Sequence, residues 1–187
     1  MSSDNNQNIL GYNSVNNKFD SSNVAPNASG SIIERVAAIQ SGSNNISSAN
    51  YGSVPITFVA GTTGSVASHE ILTITGLVRL KIWAECTVNL AGATATIELG
   101  EETTSTSIIA QTTATDIDAG ELWYDATPTT AIDASSTVIL DKVVNALDVG
   151  YTIGTAAISA GAITFHYVWE PYNATGAVVA ADGTGTL

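Results

Sequence analysis

Positively charged residues are scarce in this sequence of 187 residues. Lys and Arg together number 5 against 17 Asp and Glu, so the formal net charge is −12 at pH 7. Binding to the phosphate backbone of nucleic acids needs clustered cations, whereas the cations here are scattered, at Lys18, Arg35, Arg79, Lys81 and Lys142. The same shortage weighs against an anionic membrane surface. We therefore expect neither nucleic acid nor a membrane among the partners.

Cysteine and histidine are almost absent. The single Cys86 excludes an intrachain disulfide, and its place on an apolar strand face predicts a buried, unreactive thiol. His69 and His166 lie on different predicted strands, and no zinc-ligand or phosphate-binding pattern is present. We therefore expect a non-enzymatic protein with no catalytic residue, no cofactor and no dedicated metal site. The acidic loop at residues 116–121 leaves open an irregular calcium site between subunits.

Long apolar runs are missing as well. No stretch approaches the roughly 18–20 apolar residues of a membrane span, and the polar first twenty residues do not have the pattern of a signal peptide. We therefore expect a protein that stays in the cytoplasm where it is made, or assembles there. Charged residues make up only 12% of the chain, about half the usual level of roughly 25%. A surface so poor in charge is typical of a chain that contacts other proteins over much of its exterior.

Residues 1–30 are rich in Asn and Ser and follow neither the helix period nor the strand period. This composition is typical of an extended arm. Its isolated apolar residues, among them Phe19, are candidate anchors that become ordered when the arm lies across a neighbour. A freely mobile terminus is the alternative that the sequence leaves open.

Residues 31–50 are predicted to be one short helix followed by a polar linker. The helix starts with a Ser and a Glu at capping-box spacing. An apolar stripe at positions i, i+4 and i+7 follows, formed by Ile32, Val36 and Ile39. A helix over 31–40 is shorter than the roughly 12–15 residues needed for marginal stability alone. We therefore predict that it docks on its own body, on sister chains or on another protein.

From residue 51 to 172 apolar and polar residues alternate, as they do in β-strands. The clearest strand is 77–90, whose length beyond the usual span of about 3–10 residues predicts a bend or bulge. Other strands are predicted at 54–60, 66–75, 93–99, 107–113, 121–126, 137–141, 151–155 and 163–169. Such a series without intervening helices predicts an all-β fold, an antiparallel β-sandwich or jelly-roll-like domain. Residues 173–187 are expected to form a flexible tail.

Trp83 is predicted to lie on the wetter face of strand 77–90, between Lys81 and Glu85. An exposed tryptophan binds a sugar or anchors a protein contact, and cover by a loop or a neighbouring strand is the structural alternative. The candidate interface residues are therefore Ile32, Val36, Ile39, Phe19 and Trp83.

Several stretches of the chain carry a resemblance to a known group of proteins. They are GSIIER (30–35), LTITGLV (72–78), AQTTATDIDA (110–119), LWYDATP (122–128) and AITFHYVWEP (162–171). Together they resemble small structural proteins of tailed-bacteriophage virions, over most of the chain from residue 11 to about residue 171. These motifs carry no active-site residue.

The resemblance implies a capsid decoration (cement) protein in a virion assembled in the host cytoplasm. Its partners would be the major capsid protein or other virion proteins, bound through the arm, the helix and the β body. Because capsid lattices offer three-fold positions, we expect a homotrimer. The alternative is a head-fibre or tail-associated appendage that contacts a host-surface glycan.

Overall fold

The computed structural model describes residues 49–129 and 139–187, together with the backbone of two short strands that precede them. Those strands, β1 (Tyr12–Asn13) and β2 (Lys18–Phe19), pair with each other in antiparallel orientation. Residues Ala49–Leu187 form one compact unit. The predicted docking helix with its apolar stripe lies outside the described residues, as does the Phe19 side chain.

The body is built from ten strands, numbered β3 to β12 in chain order. They are β3 (Asn50–Thr57), β4 (Ser68–Thr75), β5 (Leu77–Ala91), β6 (Thr96–Glu101), β7 (Thr104–Thr113), β8 (Leu122–Trp123), β9 (Asp141–Asn145), β10 (Val149–Gly154), β11 (Ala160–Pro171) and β12 (Ala177–Ala180). The helical structure in the described residues of this body is a single 3-10 turn at Ala114–Asp116. All strand pairs are antiparallel, so the predicted all-β antiparallel class is confirmed.

The strands form two sheets whose pairing is nested along the chain. The first sheet has the order β12-β4-β10-β6-β7, and the second has β3-β11-β5-β8, with β9 also paired to β5. The pair β3–β11 joins the two strands that lie farthest apart in the chain. Between them in sequence lies the pair β4–β10, then β5–β9, and then the adjacent strands β6 and β7. The chain therefore folds like one long hairpin whose two arms are shared between two sheets.

A single hydrophobic core joins the two sheets. Tyr151 of β10 and Phe165 of β11 are fully buried and stack across the sheets, with 5.8 Å between their ring centroids. The Tyr151 hydroxyl donates a hydrogen bond of 2.8 Å to the carbonyl of Thr63, so its polar end is satisfied. Burial of large aromatic side chains contributes about 3–5 kcal/mol each when judged by truncation to Ala, which makes this stack a main source of cohesion between the sheets.

Strand β5 follows the predicted alternation closely. Its inward residues are buried from Val78 to Cys86, and the register with β11 shifts on both sides of Ala162. These shifts are the irregularity that the length of the strand predicted. Other strand boundaries also differ from the predicted ones. For example, β3 ends at Thr57 and not at residue 60, and β6 starts at Thr96, because the Ala95 amide closes a turn onto the Gly92 carbonyl. β9 begins at Asp141, where the predicted strand ends.

The expectation of a flexible tail after residue 172 is wrong for its second half. Residues Ala177–Ala180 form β12 on the outer edge of β4, and the amides of Ala181 and Gly183 bond to carbonyls of β4. The ring nitrogens of His69 lie 3.0 Å from the carbonyl oxygens of Ser65 and Gly183. If the outer edge of β4 were uncovered, its backbone groups would have no hydrogen-bond partners. The C-terminal segment supplies these partners, although its apolar pattern is weak.

We predict that Thr112→Val destabilises the protein by about 1–3 kcal/mol, the usual cost of leaving a buried donor unpaired. Buried Thr112 accepts a 3.0 Å hydrogen bond from the indole N–H of Trp123, which is itself fully buried. Urea unfolding measures the effect. Thr113→Val is the matched control, because Thr113 is exposed and its change should stay within about 0.5 kcal/mol. Equal effects of the two substitutions would contradict a role for this hydrogen bond.

Candidate interaction surface

The outward side chains of β5 form the base of the candidate surface. Successive residues of a strand point to opposite faces, and the inward set of β5 is fixed by burial in the core. The opposite set therefore faces away from the core in one row, consisting of Arg79, Lys81, Trp83 and Glu85. The composition of this row, with both charge signs and an aromatic ring, is unusual in a chain with so few cations.

A row of three rings crosses strands β3, β11 and β5. His166 is the register partner of Trp83, and its ring stacks between the rings of Trp83 and Tyr51, with centroid distances of 5.8 and 6.1 Å. The Tyr51 hydroxyl lies 2.7 Å from Nδ1 of His166, and the Glu85 carboxylate lies 3.5 Å from Nε2. The imidazole is therefore held on both sides, while Tyr51 remains 64% exposed.

A second row, made of ion pairs, crosses β11, β5 and β9. Nε of Arg79 donates to Asp141 at 2.9 Å, and Nη1 of Arg79 lies 3.5 Å from Glu170. Lys81 lies 3.7 Å from the same Asp141 carboxylate. The hydrogen bond from Arg79 lowers the pKa of Asp141, because it stabilises the ionised carboxylate. Exposed ion pairs contribute little stability, about 0–1 kcal/mol, so this row affects the surface more than the fold.

Together the two rows make one continuous surface, named here the charged–aromatic face. It consists of Tyr51, Arg79, Lys81, Trp83, Glu85, Asp141, Val143, His166 and Glu170. Val143, the register partner of Arg79, adds an aliphatic side chain that is 51% exposed. A small pocket of about 170 Å³ lies within the ionic row, beside Val168 and Trp169. Aromatic and Arg side chains held by their neighbours are typical of protein contact surfaces.

Sequence and structure agree on Trp83 and differ in what surrounds it. Trp83 lies on the outer face as predicted, half-buried by its stacking on His166. The sequence did not link Trp83 to His166, nor Arg79 to Asp141, because these partners come from strands far apart in the chain. The alternation of apolar and polar residues within each strand was the signal in the sequence. It assigns a residue to one face of a sheet, but it does not indicate which residues of other strands lie beside it.

Chemically reactive groups are not gathered in the described residues. No group of three or more His, Cys, Asp and Glu side chains there is arranged to hold a metal ion. In the acidic loop, the Asp118 amide donates to the Glu121 carboxylate at 2.9 Å, which uses one carboxylate oxygen locally. In the part of the chain that the structure describes, no helix has the length and apolar character of a membrane span.

We predict that Cys86 does not react with an aromatic disulfide reagent in the native protein at pH 8. Its side chain is fully buried, and burial raises the pKa of its thiol to about 11, so the reactive thiolate is rare. In denaturing urea the same reagent should release one equivalent of chromophore, since the chain has 1 Cys. Rapid labelling without denaturant would contradict the burial of this thiol.

Comparisons with known proteins give a distant structural similarity. No family model matches the chain, and no curated protein matches it significantly. Among solved structures, a chain from the acidic stable capsid structure of Helicobacter pylori bacteriophage KHP30 is similar, with 12% sequence identity and a TM-score of 0.43. The similarity covers 72% of this chain and 95% of that chain. At this level it decides neither fold nor function, so the charged–aromatic face is interpreted from its own residues.

Proposed function

We propose that this chain is a non-enzymatic structural protein of a tailed-bacteriophage virion, most specifically a capsid decoration (cement) protein that binds the major capsid protein. The observation that carries the proposal is a low-charge β body with a pre-ordered contact face, preceded by an Asn-rich segment of nearly fifty residues. A particle protein of this kind is assembled onto the capsid in the host cytoplasm and remains in the virion.

The order of the strands in the two sheets assigns a fold to the body, and this fold supports the proposal. If β8 and β9 are counted as one strand, the strands from β3 to β11 can be renumbered from 1 to 8 in chain order. Their orders in the two sheets are then 1-8-3-6 and 2-7-4-5. This is the order of a jelly roll, a long hairpin rolled into two sheets, with β12 added at one edge. Jelly rolls form viral capsid domains and also lectin and cupin domains. Because one fold serves several functions, the partner is inferred from the surface.

The surface favours a protein as the partner. Charged residues are 12% of the chain, and the aromatic and Arg residues of a protein interface supply much of its binding energy. The charged–aromatic face holds Trp83, Tyr51 and Arg79 in place through contacts with their neighbours. Side chains that are ordered before binding lose less conformational entropy on association, which suits a permanent contact.

The N-terminal segment adds contact area in this proposal. We expect the arm to lie across the capsid surface with Phe19 as an anchor, and the stripe of Ile32, Val36 and Ile39 to dock against the capsid or sister chains. A segment that orders on binding covers a large surface without a larger core. A homotrimer matches the three-fold positions of a capsid lattice.

A second candidate function is a head-fibre or tail-associated appendage that contacts a host-surface glycan. The row of rings supports it, because the ring of Tyr51 is largely exposed beside His166 and Trp83. Saturable binding of the purified protein to host cells or isolated glycans, abolished by Trp83→Thr, would favour this function over capsid decoration.

We predict that the purified protein binds saturably to capsids from a phage that lacks its gene. Co-sedimentation with these capsids measures the stoichiometry, and a fixed number of copies per capsid is expected because the lattice offers a fixed number of sites. Heat-treated protein is the control for non-specific pelleting. Absence of binding to capsids, combined with binding to tails or glycans, would contradict the decoration role.

We predict that Val36→Asp weakens incorporation into capsids by about tenfold or more, because it places a charge within the apolar stripe of the docking helix. Ala37→Asp is the matched control, since the next helical position lies about 100° around the axis, outside the stripe. Quantification of the protein in purified particles measures the effect. Normal incorporation of Val36→Asp would contradict docking through this helix.

A further inference from the structure

The C-terminal segment, residues 177–187, follows the outer edge of β4 over its whole length. Beyond β12, the amides of Ala181, Gly183 and Leu187 donate to carbonyls of β4 at 2.8, 3.1 and 3.3 Å. Most residues of 181–187 are exposed, and backbone bonds at an exposed edge open more readily than those inside a sheet. The attachment of this segment therefore depends on the contacts that its few buried groups make.

The imidazole of His69 joins this segment to the loop between β3 and β4, residues 58–67. The His69 side chain is buried, with 5% of its area exposed. Its Nδ1 lies 3.0 Å from the carbonyl oxygen of Gly183, and its Nε2 lies 3.0 Å from that of Ser65. Both ring nitrogens therefore face atoms that only accept hydrogen bonds. A neutral imidazole carries one N–H, whereas an imidazolium carries two and can donate to both carbonyls.

The hydroxyl of Ser65 does not supply a hydrogen to the ring. It lies 3.4 Å from Nε2 of His69, but it donates to the carbonyl of Thr62 at 2.7 Å. A serine hydroxyl has one hydrogen, so this group can only accept from the ring. In the neutral state one ring nitrogen would direct a lone pair at a carbonyl oxygen, which leaves a buried polar group without a partner. The hydrogen bonds around this ring are therefore complete only in the charged form.

The groups around the ring offset the cost of burying its charge. The ring stacks on Tyr151 with 4.9 Å between centroids, and an aromatic face attracts a cation. Burial raises the pKa of Tyr151, because it disfavours the phenolate. On the C-terminal segment, hydrogen bonds from Thr184 lower the pKa of Asp182, because they stabilise its carboxylate. The loop 58–67 has no charged residue, and Glu70, next to His69 in β4, points to the opposite face.

We propose that His69 is a pH-sensitive switch that controls the attachment of the C-terminal segment to β4. The protonated ring bonds to the loop and to the segment together, whereas the neutral ring keeps one of these bonds. Protonation therefore adds a hydrogen bond in the folded chain, and this stabilisation is present at acidic pH and is lost as the pH rises and the ring becomes neutral. Histidine changes its charge within about pH 5–8. Release of the segment would uncover the edge of β4, and such an edge can pair with another strand.

Nitrogen NMR of the histidine rings tests the first step in the full chain. The protein has 2 His, and the variant His166→Asn assigns the remaining ring signals to His69. We expect both nitrogens of His69 to carry a hydrogen at pH 5.5 and one of them to lose it by pH 8. A ring that stays neutral at pH 5.5, as burial alone would favour, overturns the inference.

Amide hydrogen exchange, corrected for the pH dependence of the intrinsic rates, tests the second step. We expect protection of the Gly183 and Leu187 amides to fall about tenfold or more between pH 5.5 and pH 8, the size of effect typical of one hydrogen bond to a charged group. The Ala146 amide, which donates to the Gly76 carbonyl beyond the other end of β4, is the internal control and should keep its protection. Equal protection of the segment at both pH values overturns the inference.

Two matched variants assign the pH response to one ring. His69→Phe keeps an aromatic ring beside Tyr151 and removes both donors, so protection of the segment should be low at both pH values. His166→Asn removes the other histidine and should keep the wild-type response. A pH response that persists in His69→Phe, or that disappears in His166→Asn, contradicts the role of His69. The ring signals and the exchange of the wild-type chain decide the outcome if His69→Phe does not fold.

Discussion

The pairing of β5 with its neighbours is the constraint on which the rest of the body depends. β5 bonds to β11 along most of its length and also carries β8 and β9, so the second sheet is assembled around it. Its inward residues are among the most completely buried in the protein. Burial of this alternating apolar set drives the strand against the first sheet, and the Tyr151–Phe165 stack joins the two sheets beside it.

The surface chemistry follows from the same constraint. Because the inward positions of β5 are taken by apolar residues, the residues between them must face outward, and these are the charged and aromatic ones. Pairing of β9 and β11 with β5, and of β3 with β11, then adds Asp141, His166 and Tyr51 to the same face. The core supplies the stability, and the exposed ion pairs contribute little to it. The outer face can therefore carry interaction chemistry without weakening the fold.

Local pattern predicted the parts of the fold that depend on local structure. The alternation of β5, the irregularity near its end and the buried Cys86 all follow from residues within one strand. The nested order of the sheets was not predictable, because pairing depends on contacts between strands far apart in the chain. The Arg79–Asp141 bond joins residues 62 apart, and no alternation indicates such a partner. β12 was not predicted, because a short edge strand needs few apolar residues and therefore shows little alternation in the sequence.

The nested pairing has a consequence for how the chain reaches its structure. β3, the first strand of the body, pairs with β11, which is synthesised more than a hundred residues later. Such long-range pairing makes folding slow, because the entropy of closing a large loop is lost before the contacts form. On the ribosome, the edges of β3 and β5 that pair with β11 must wait for β11 to emerge. Until then both are open to pairing with other chains, so the chain is most vulnerable to aggregation just before its last strands are made.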